Sequence, residues 1–499
     1  MNLLAASAVG FAWWFPGTWT SFGLTWLGGI LLVNIARRER PLRNLYLCGC
    51  IVQIIGFYWM VELIDRFGDF TLWQSIAIFS LFVVASSAQF LFFGLFYKHL
   101  PQQLDWLAIR APLAWVIFEL VTIRIFPWHI GHTLISLPEL TQIADVTGSL
   151  GLSFLVLWTA DSLNLIHRYR SGAVALGLAF SFVLLYGANK IDLYNEKALS
   201  RREIQPVAVS LVQGNTSLLR ESDEEVPDRD LAHYKKLSEN LDREGELIIW
   251  PESAILHWVP TKLKRQQQAP RLPKFEHATL LTGSLMWESR EKLYNSAFTI
   301  APDGTIGSPY HKRVLMPYGE YTPFSDLFPW LLEINNMAGN FTAGHDPEVH
   351  TIDLTNRESP IHAATLICYE DVVQELAAEA VRDGAELLVN LTNDAWFGDS
   401  PALHQHHLIA SFRAIENKRY HLRATNTGKT AIISPLGETV SSIPTATPGV
   451  LSGKAYPISD KTLFSRFGNT PWWILSLLTS GLVLLNMIFG RPRQRAVDS

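Results

Sequence analysis

The sequence predicts an α/β domain carried on a bundle of membrane-spanning helices. Three observations predict it. Long apolar runs with few or no charges fill the N-terminal part and return once near the C-terminus. From about Ile204 to Ala455, short apolar runs alternate with polar, helix-like segments. The whole chain is 48% hydrophobic and only 17% charged, with a mean hydropathy of +0.14. Such a balance suits a protein divided between lipid and water. The net charge of −5, with no basic stripe bearing interleaved aromatics, argues against a nucleic-acid partner.

Residues 1–36 carry no charged side chain, and Pro16-Gly17 breaks them into two helices, Asn2 to Phe15 and Trp19 to Ile35. The first is short against the roughly 20 apolar residues a bilayer needs. A secretory signal would need basic residues at its start, and none precedes Arg37. Further spans are expected at Leu45 to Leu63, Leu72 to Tyr97, Ala111 to Ile123, Gly148 to Ile166 and Ala173 to Tyr186. Glu119 weakens the fifth, and Asp161 interrupts the sixth. Trp472 to Phe489 is the eighth, with its tryptophan pair as an interface anchor. The expected division is a bundle over 1–195, a mixed α/β domain over 204–455 and a last membrane helix over 471–490.

Basic residues follow every even-numbered span: Arg37, Arg38 and Arg40; Lys98; His167, Arg168 and Arg170; Arg491, Arg493 and Arg495. Basic loops stay in the cytoplasm. The α/β domain follows span seven and so is expected on the opposite face, which in a bacterium is the periplasmic one. Lys197, Arg201 and Arg202 run against this, but long domains translocate despite local charge.

Within the α/β domain, strands are expected at Val207 to Val212, Leu247 to Trp250, Leu280 to Met286, Leu387 to Leu391 and Ala431 to Ser434. A hairpin is expected from Tyr294 to Tyr310, around Pro302-Asp303-Gly304. His404 to Tyr420 reads as a helix. The run from His362 to Ile367 reads as a buried strand that stops at Cys368. Acidic residues then open a helical pattern, Asp371 to Arg382. A thiolate at such a junction gains from the positive end of a helix. Cys48 and Cys50 lie in an apolar run, so Cys368 is the lone thiol of the polar half, with no disulfide framework or CxxC pair.

A lone cysteine is more often a small buried hydrophobe than a nucleophile. Glu252, after a proline, is most simply a surface cap, and Lys312, in a basic turn, is most simply solvated. Their joint occurrence alters the balance, because all three stand at predicted strand or hairpin ends. If those strands share one sheet, the three side chains converge at one edge. The glutamate then takes the thiol proton, the thiolate attacks an acyl carbon, and the lysine with a backbone N–H near Tyr369 stabilises the oxyanion.

Trp250-Pro251-Glu252-Ser253-Ala254, His311-Lys312-Arg313-Val314-Leu315-Met316-Pro317-Tyr318-Gly319-Glu320-Tyr321 and Ile367-Cys368-Tyr369-Glu370 resemble the Glu-Lys-Cys motifs of the nitrilase superfamily. Asn390-Leu391-Thr392-Asn393-Asp394-Ala395-Trp396-Phe397-Gly398 and Arg423-Ala424-Thr425-Asn426-Thr427-Gly428 extend the match. With membrane spans on both sides, the whole chain resembles the apolipoprotein N-acyltransferase family. The resemblance implies an αββα sandwich on an eight-helix membrane base. It implies Glu252 as general base, Lys312 as oxyanion stabiliser and Cys368 as nucleophile. Glu320 and Glu370 match further acidic active-site positions, and Tyr369, Asn295 and Trp396 match positions near the pocket. The implied reaction is ping-pong. Cys368 takes an acyl chain from a phospholipid, typically the sn-1 chain of phosphatidylethanolamine. The amine of a diacylglyceryl-cysteine apolipoprotein then takes it from the thioester.

No cofactor or metal is expected. His404, His406 and His407 lack a nearby Cys or paired carboxylate in the sequence, which favours solvated or packing roles for His404 and His407. Glu119 and Asp161 are read as structural hydrogen-bonding groups, and Phe126-Pro127-Trp128 as an interface belt. Glu62, Asp65 and Arg66 are equally consistent with a headgroup contact and a plain polar loop. Two other functions compete. A membrane-tethered amidase would use the same triad, but a tether needs one span. A transporter or inactive membrane protein would not need the triad, and no internal repeat of spans is evident.

Overall fold

The computed structural model describes residues 2–489 apart from 69, 123, 125, 201–204, 218–224, 324, 326 and 331–339. Arg201, Arg202, Arg491, Arg493 and Arg495, used above to orient the chain, lie outside the described residues, as does Ile123 at the end of the fifth expected span.

Each of the eight apolar runs falls on a helix. In chain order these are α1 (Asn2–Trp14), α2 (Trp19–Ala36), α3 (Pro41–Phe57) with α4 (Met60–Gly68), α5 (Leu72–His99), α6 (Arg110–Val121), α8 (Ala144–Leu165), α9 (Arg170–Ser200) and α14 (Thr470–Phe489); the short α7 (Pro138–Thr141) precedes α8. The eight are not equivalent. Among the described residues five helices are long and apolar enough to cross a membrane: α2, α5, α8, α9 and α14. The third expected span is broken, with α3 and α4 meeting at a bend of 58°, and counts as a sixth only if the pair is one span. At 13 and 12 residues, α1 and α6 rise only about 20 Å each, less than a hydrocarbon core of about 30 Å. They pack inside the bundle instead, α6 being buried along almost its whole length.

The charges that weaken spans five and six have hydrogen-bond partners inside the bundle. Glu119 accepts from the Trp115 indole at 2.8 Å and from the Ile130 N–H at 3.1 Å. Asp161 accepts from the Ala111 N–H at 3.1 Å and pairs with Arg37 at 3.2 Å. These are the structural roles expected of them, since a buried polar group without a partner is costly.

The α/β domain contains two sheets. The first runs β13 (Gly449–Ala455), β1 (Val207–Gln213), β2 (Glu246–Ile249), β4 (Thr279–Ser289), β5 (Lys292–Ile300), β6 (Tyr310–His311), with β3 (Ile255–Pro260) beside β4. The second runs β12 (Thr439–Ser442), β11 (Ala431–Ile433), β10 (His421–Thr425), β9 (Leu387–Thr392), β8 (Ile361–Ile367), β7 (Val349–Ile352). The central pairs β1–β2, β2–β4, β8–β9 and β9–β10 are parallel. Such strands are buried on both faces and read as continuous apolar runs, which is why they were legible.

Alternation along the strands builds the layers. Val207, Val209, Leu211, Leu247 and Ile249 face Ile361, Ala363, Ile367, Val389 and Leu422 across the sandwich. Val212, Ile248 and Leu280 face the other way, onto Leu231 and Tyr234 of α10 (Val226–Ser238). Leu366 and Leu388 pack outward on Leu376 and Val381 of α11 (Gln374–Arg382). The outcome is an αββα sandwich.

Two expected elements differ. The strand from Tyr294 is longer and pairs antiparallel with β4 over its length. The turn at Pro302-Asp303-Gly304 exists, but Thr305 and Ile306 make only isolated bridges, and the strand partner is the two-residue β6. Near Cys368 the structure has a 3-10 turn, Cys368–Val372, and α11 begins only at Gln374. The thiol therefore does not cap an α-helix, and the helix-end argument for its activation falls away.

Bundle and sandwich share one apolar cluster. Trp13, Phe57, Trp59 and Phe126 of the bundle pack with Val372 and with Leu408, Phe412 and Ile415 of α12 (Ala402–Asn417). Polar ties cross the same junction. Gln405 donates to the carbonyls of Trp13 and Gly56 at 3.2 and 3.1 Å. The Ser149 N–H of α8 donates to Glu416 at 3.1 Å.

Candidate active site

Glu252, Lys312 and Cys368 meet at the C-terminal ends of β2, β6 and β8. Beyond β2, the Trp250 N–H donates to Leu281 and Ser253 takes a φ of +51°. That turn drives the Glu252 carboxylate inward, leaving it 7% exposed. Gly283 of β4 makes the turn possible, because a Cβ there would lie 2.6 Å from the Pro251 carbonyl and 2.7 Å from the Glu252 Cα. Lys312 follows β6, its own N–H donating to the Asn295 carbonyl at 2.8 Å, and is 1% exposed. Cys368 ends β8 with φ +51°, a left-handed conformation that a side chain with a Cβ rarely adopts and that commonly marks functional sites.

The polar contacts form one connected set. Asn295 of β5 bridges the two carboxylates, its Nδ2 donating to Glu252 Oε1 and Glu320 Oε1 at 2.8 Å each. Lys312 Nζ lies 2.7 Å from Glu320 Oε2 and 3.5 Å from Glu252 Oε1. The remaining Glu252 oxygen accepts from the Asn393 N–H at 2.9 Å. Cys368 lies close enough to Glu252 and Lys312 for both charges to act on its thiol.

Electrostatics follow from burial and these neighbours. Burial raises Glu252 above the ordinary carboxylate range, against the lowering effect of Lys312. Burial opposes the charge on Lys312, but the carboxylates of Glu320 and Glu252 outweigh it and hold the amine above the usual lysine range. Burial and the Glu252 charge push the Cys368 thiol well up, against Lys312. The resting site is therefore a neutral thiol, an ionised amine and a carboxylate poised to take a proton.

The other expected site residues divide. Asn295 and Glu320 belong to the cluster. Glu370 does not turn toward the sulfur. One of its oxygens accepts from the Arg313 and Val314 N–H groups at 2.6 and 3.0 Å, the other from the Ile367 N–H at 2.7 Å and the Tyr310 hydroxyl at 2.8 Å. It ties the Lys312 loop to the Cys368 turn. Tyr369 is half-buried against the bundle cluster, near Arg124 and Tyr321, with its hydroxyl pushed up to about 12 chiefly by burial. Trp396 lies in the 3-10 turn Asp394–Phe397 that follows β9.

His406 is neither solvated nor a simple packing residue. It is buried between Asp371 and Asp394. His407 is buried with its Nε2 2.9 Å from the Thr439 hydroxyl, so its expected packing role fits, whereas His404 is exposed. No group of three or more His, Cys, Asp or Glu suited to a metal occurs among the described residues. Glu62 pairs with Arg66 on α4, beside Gly398. Sequence reasoning missed Asn393 as the clamp on Glu252 and missed Asn426, which donates to the Asn393 side chain at 3.1 Å. The available signal was a polar cluster closing a mostly apolar, wholly buried strand.

Comparison with known proteins matches residues 3–161 to the "Apolipoprotein N-acyltransferase N-terminal domain" family and residues 208–455 to the "Carbon-nitrogen hydrolase" family. An apolipoprotein N-acyltransferase from Pseudomonas syringae pv. tomato is 31% identical over 369 residues, covering 72% of this chain and 70% of the relative. This chain belongs to the apolipoprotein N-acyltransferase family. The Geobacter metallireducens apolipoprotein N-acyltransferase is 29% identical over 473 residues, covering 90% of this chain and 88% of the relative. Among solved structures, an amidase of the nitrilase superfamily from Nesterenkonia aligns with 54% of this chain and 96% of its own, at 17% identity and a TM-score of 0.39. The two family models thus fall on one chain, the N-acyltransferase N-terminal one over the bundle and the carbon-nitrogen hydrolase one over the sandwich.

Proposed function

We propose that this protein moves a fatty acyl chain from a phospholipid to the N-terminal amine of a diacylglyceryl-cysteine apolipoprotein, through a thioester on Cys368. The observation that carries the reading is the meeting of Glu252, Lys312 and Cys368 in one buried, hydrogen-bonded cluster at the junction with the bundle. In the first half-reaction Glu252 takes the thiol proton as sulfur attacks the ester carbonyl of the donor, with phosphatidylethanolamine at sn-1 as the favoured case. Lys312 and a backbone N–H beside Tyr369 hold the developing oxyanion. The ester C–O bond breaks, and the Glu252 proton leaves with the lysophospholipid hydroxyl. In the second half the amine of the lipid-anchored cysteine attacks the thioester. The C–S bond breaks, Glu252 receives the amine proton and Cys368 regains it.

The raised thiol fits this scheme, because proton removal must accompany attack. Water must be excluded for transfer to beat hydrolysis. The apolar packing of Tyr369, Val372 and Phe397 against the bundle supports that. Both substrates are lipid-anchored, which gives a reason for a nitrilase-type domain to be rooted in a bilayer. The proposed setting is the inner membrane, with the sandwich on the periplasmic face.

Intact-mass analysis of purified protein incubated with phosphatidylethanolamine, wild type beside C368A, tests the reading. The expected result is one added acyl chain on wild type only, discharged by a diacylated lipopeptide. An unmodified wild type that turns over small amides instead would make it a membrane-held amidase.

A further inference from the structure

His406 sits on α12, outside the catalytic trio, yet touches the two turns that build the trio. Its Nε2 lies 2.6 Å from Asp371 Oδ1, in the Cys368–Val372 turn. Its Nδ1 lies 2.9 Å from Asp394 Oδ1. Asp394 directly follows Asn393, whose N–H grips Glu252 at 2.9 Å. Arg423 closes the ring, with Nη2 3.0 Å from Asp394 Oδ2 and Nε 3.5 Å from Asp371 Oδ2. All four side chains are buried, none more than 2% exposed.

A neutral imidazole donates from one nitrogen only. Nε2 faces a carboxylate oxygen only and so donates to Asp371. Nδ1 faces both Asp394 Oδ1 and, at 2.8 Å, Arg423 Nη2; because arginine only donates, a neutral ring accepts from Arg423 there and an imidazolium donates to Asp394. The other groups acting here are His421 and Arg413, both near Asp371; Thr392, which donates to Asp394 at 3.3 Å; and the edge-on rings of Phe126 and Phe397. The Asp371 and Asp394 charges raise the imidazole to about 9 against burial and the Arg423 charge. The four side chains then carry two positive and two negative charges. Buried ion clusters seldom add net stability over apolar packing of the same shape, so the geometry they fix is the better reason for this one.

We propose that His406 is a positioning residue for acyl transfer, an imidazolium clamp that holds the Cys368 turn against the Asn393 turn and so sets the distance between nucleophile and base. The proposal rests on the acyl-transfer reading only for its purpose. Loss of the clamp leaves the turns apart and one uncompensated carboxylate near the sulfur.

The test uses the full-length protein in detergent, with wild type, H406Q and the double variant H406Q/D371N, which removes one carboxylate with the cation. Two rates are read: alkylation of Cys368 by iodoacetamide across pH, and thioester formation against phosphatidylethanolamine concentration. H406Q is expected to slow alkylation at neutral pH by about tenfold or more, as a one-unit rise in thiol pKa would do. It should lower the rate of thioester formation similarly while the half-saturating lipid concentration moves less than about twofold. With D371N measured beside it, the double variant is expected to lose no more than the worse of the two single variants, since coupled partners do not add. Unchanged rates in H406Q, or additive losses in the double variant, would overturn the clamp. If H406Q does not fold, H406K carries the test by keeping the cation, and a tenfold loss there would also overturn it. Alkylation needs no lipid. A wild type that alkylates in a His406-dependent way but never forms a thioester would therefore sink the acyl-transfer reading and spare the clamp.

Discussion

At the scale of single residues, the site is a set of buried charges whose values are fixed by their neighbours. In the proposed reaction Glu252 must be ionised to accept the thiol proton, and burial raises its pKa. The rate of thioester formation is therefore expected to rise with pH through a midpoint above 4.5, the ordinary glutamate value, in a stopped-time mass assay from pH 4 to 8. A midpoint at or below 4.5 would remove Glu252 as the base. Asn295 holds both Glu252 and Glu320 with one amide. Asn295→Ala is expected to cost about tenfold to a thousandfold in that rate, the range found when a hydrogen-bond donor to a critical oxygen is deleted. The placement of Cys368, Glu252 and Lys312 was legible in the sequence because each follows an element that the apolar pattern reveals. His406 was not, because its partners Asp371 and Asp394 come from two separate turns and no spacing rule joins them.

At the scale of elements, short braces hold the active-site turns. Glu370 accepts from three backbone N–H groups and the Tyr310 hydroxyl. Glu370→Ala is expected to destabilise the protein by about 3 kcal/mol or more, since each buried donor left unpaired costs about 1–3 kcal/mol. A thermal melt within 1 °C of wild type would contradict that brace. Gly283→Ala places a Cβ against the Glu252 turn. It should reduce thioester formation while circular dichroism shows the sheets intact. The parallel strands were legible as apolar runs, and so was the turn at Pro302-Asp303-Gly304, but the second arm of that hairpin shrinks to the two-residue β6. The longer pairing of β5 is with β4, across Arg290-Glu291. Turn chemistry marks where a chain bends; register is decided by which faces bury against each other.

At the scale of the whole molecule, sandwich and bundle are one cooperative unit rather than a domain on a tether. They share the cluster that contains Trp59, Phe126, Leu408 and Phe412. Removing the bundle would expose that apolar surface, so the sandwich expressed alone is expected to aggregate. A soluble, monomeric sandwich by light scattering would show the opposite. Stability should also depend on His406. Its pKa rises from 6.5 unfolded to about 9 folded, so its contribution is complete below pH 6.5 and is lost as pH climbs through about 9. The melting temperature is expected to fall over that window in wild type and to stay flatter in H406Q. Orientation is testable in the same molecule. A cysteine placed at Lys98, at the end of α5, should react with a membrane-impermeant maleimide only after the inner membrane is opened.

Local patterns along the chain encode the apolar helices, the buried parallel strands, and a glutamate, a lysine and a cysteine at strand ends. The sequence also marked the family through motifs that lie in those same turns. Only the tertiary structure decided which helices are long enough to span. It showed that Cys368 starts a 3-10 turn rather than an α-helix, that Glu370 faces away from the sulfur, and that His406 joins two distant aspartates. The physical reason is range. Hydropathy and turn chemistry act over a few residues, whereas a buried charge is settled by whichever groups the fold brings within about 4 Å, at any distance along the chain.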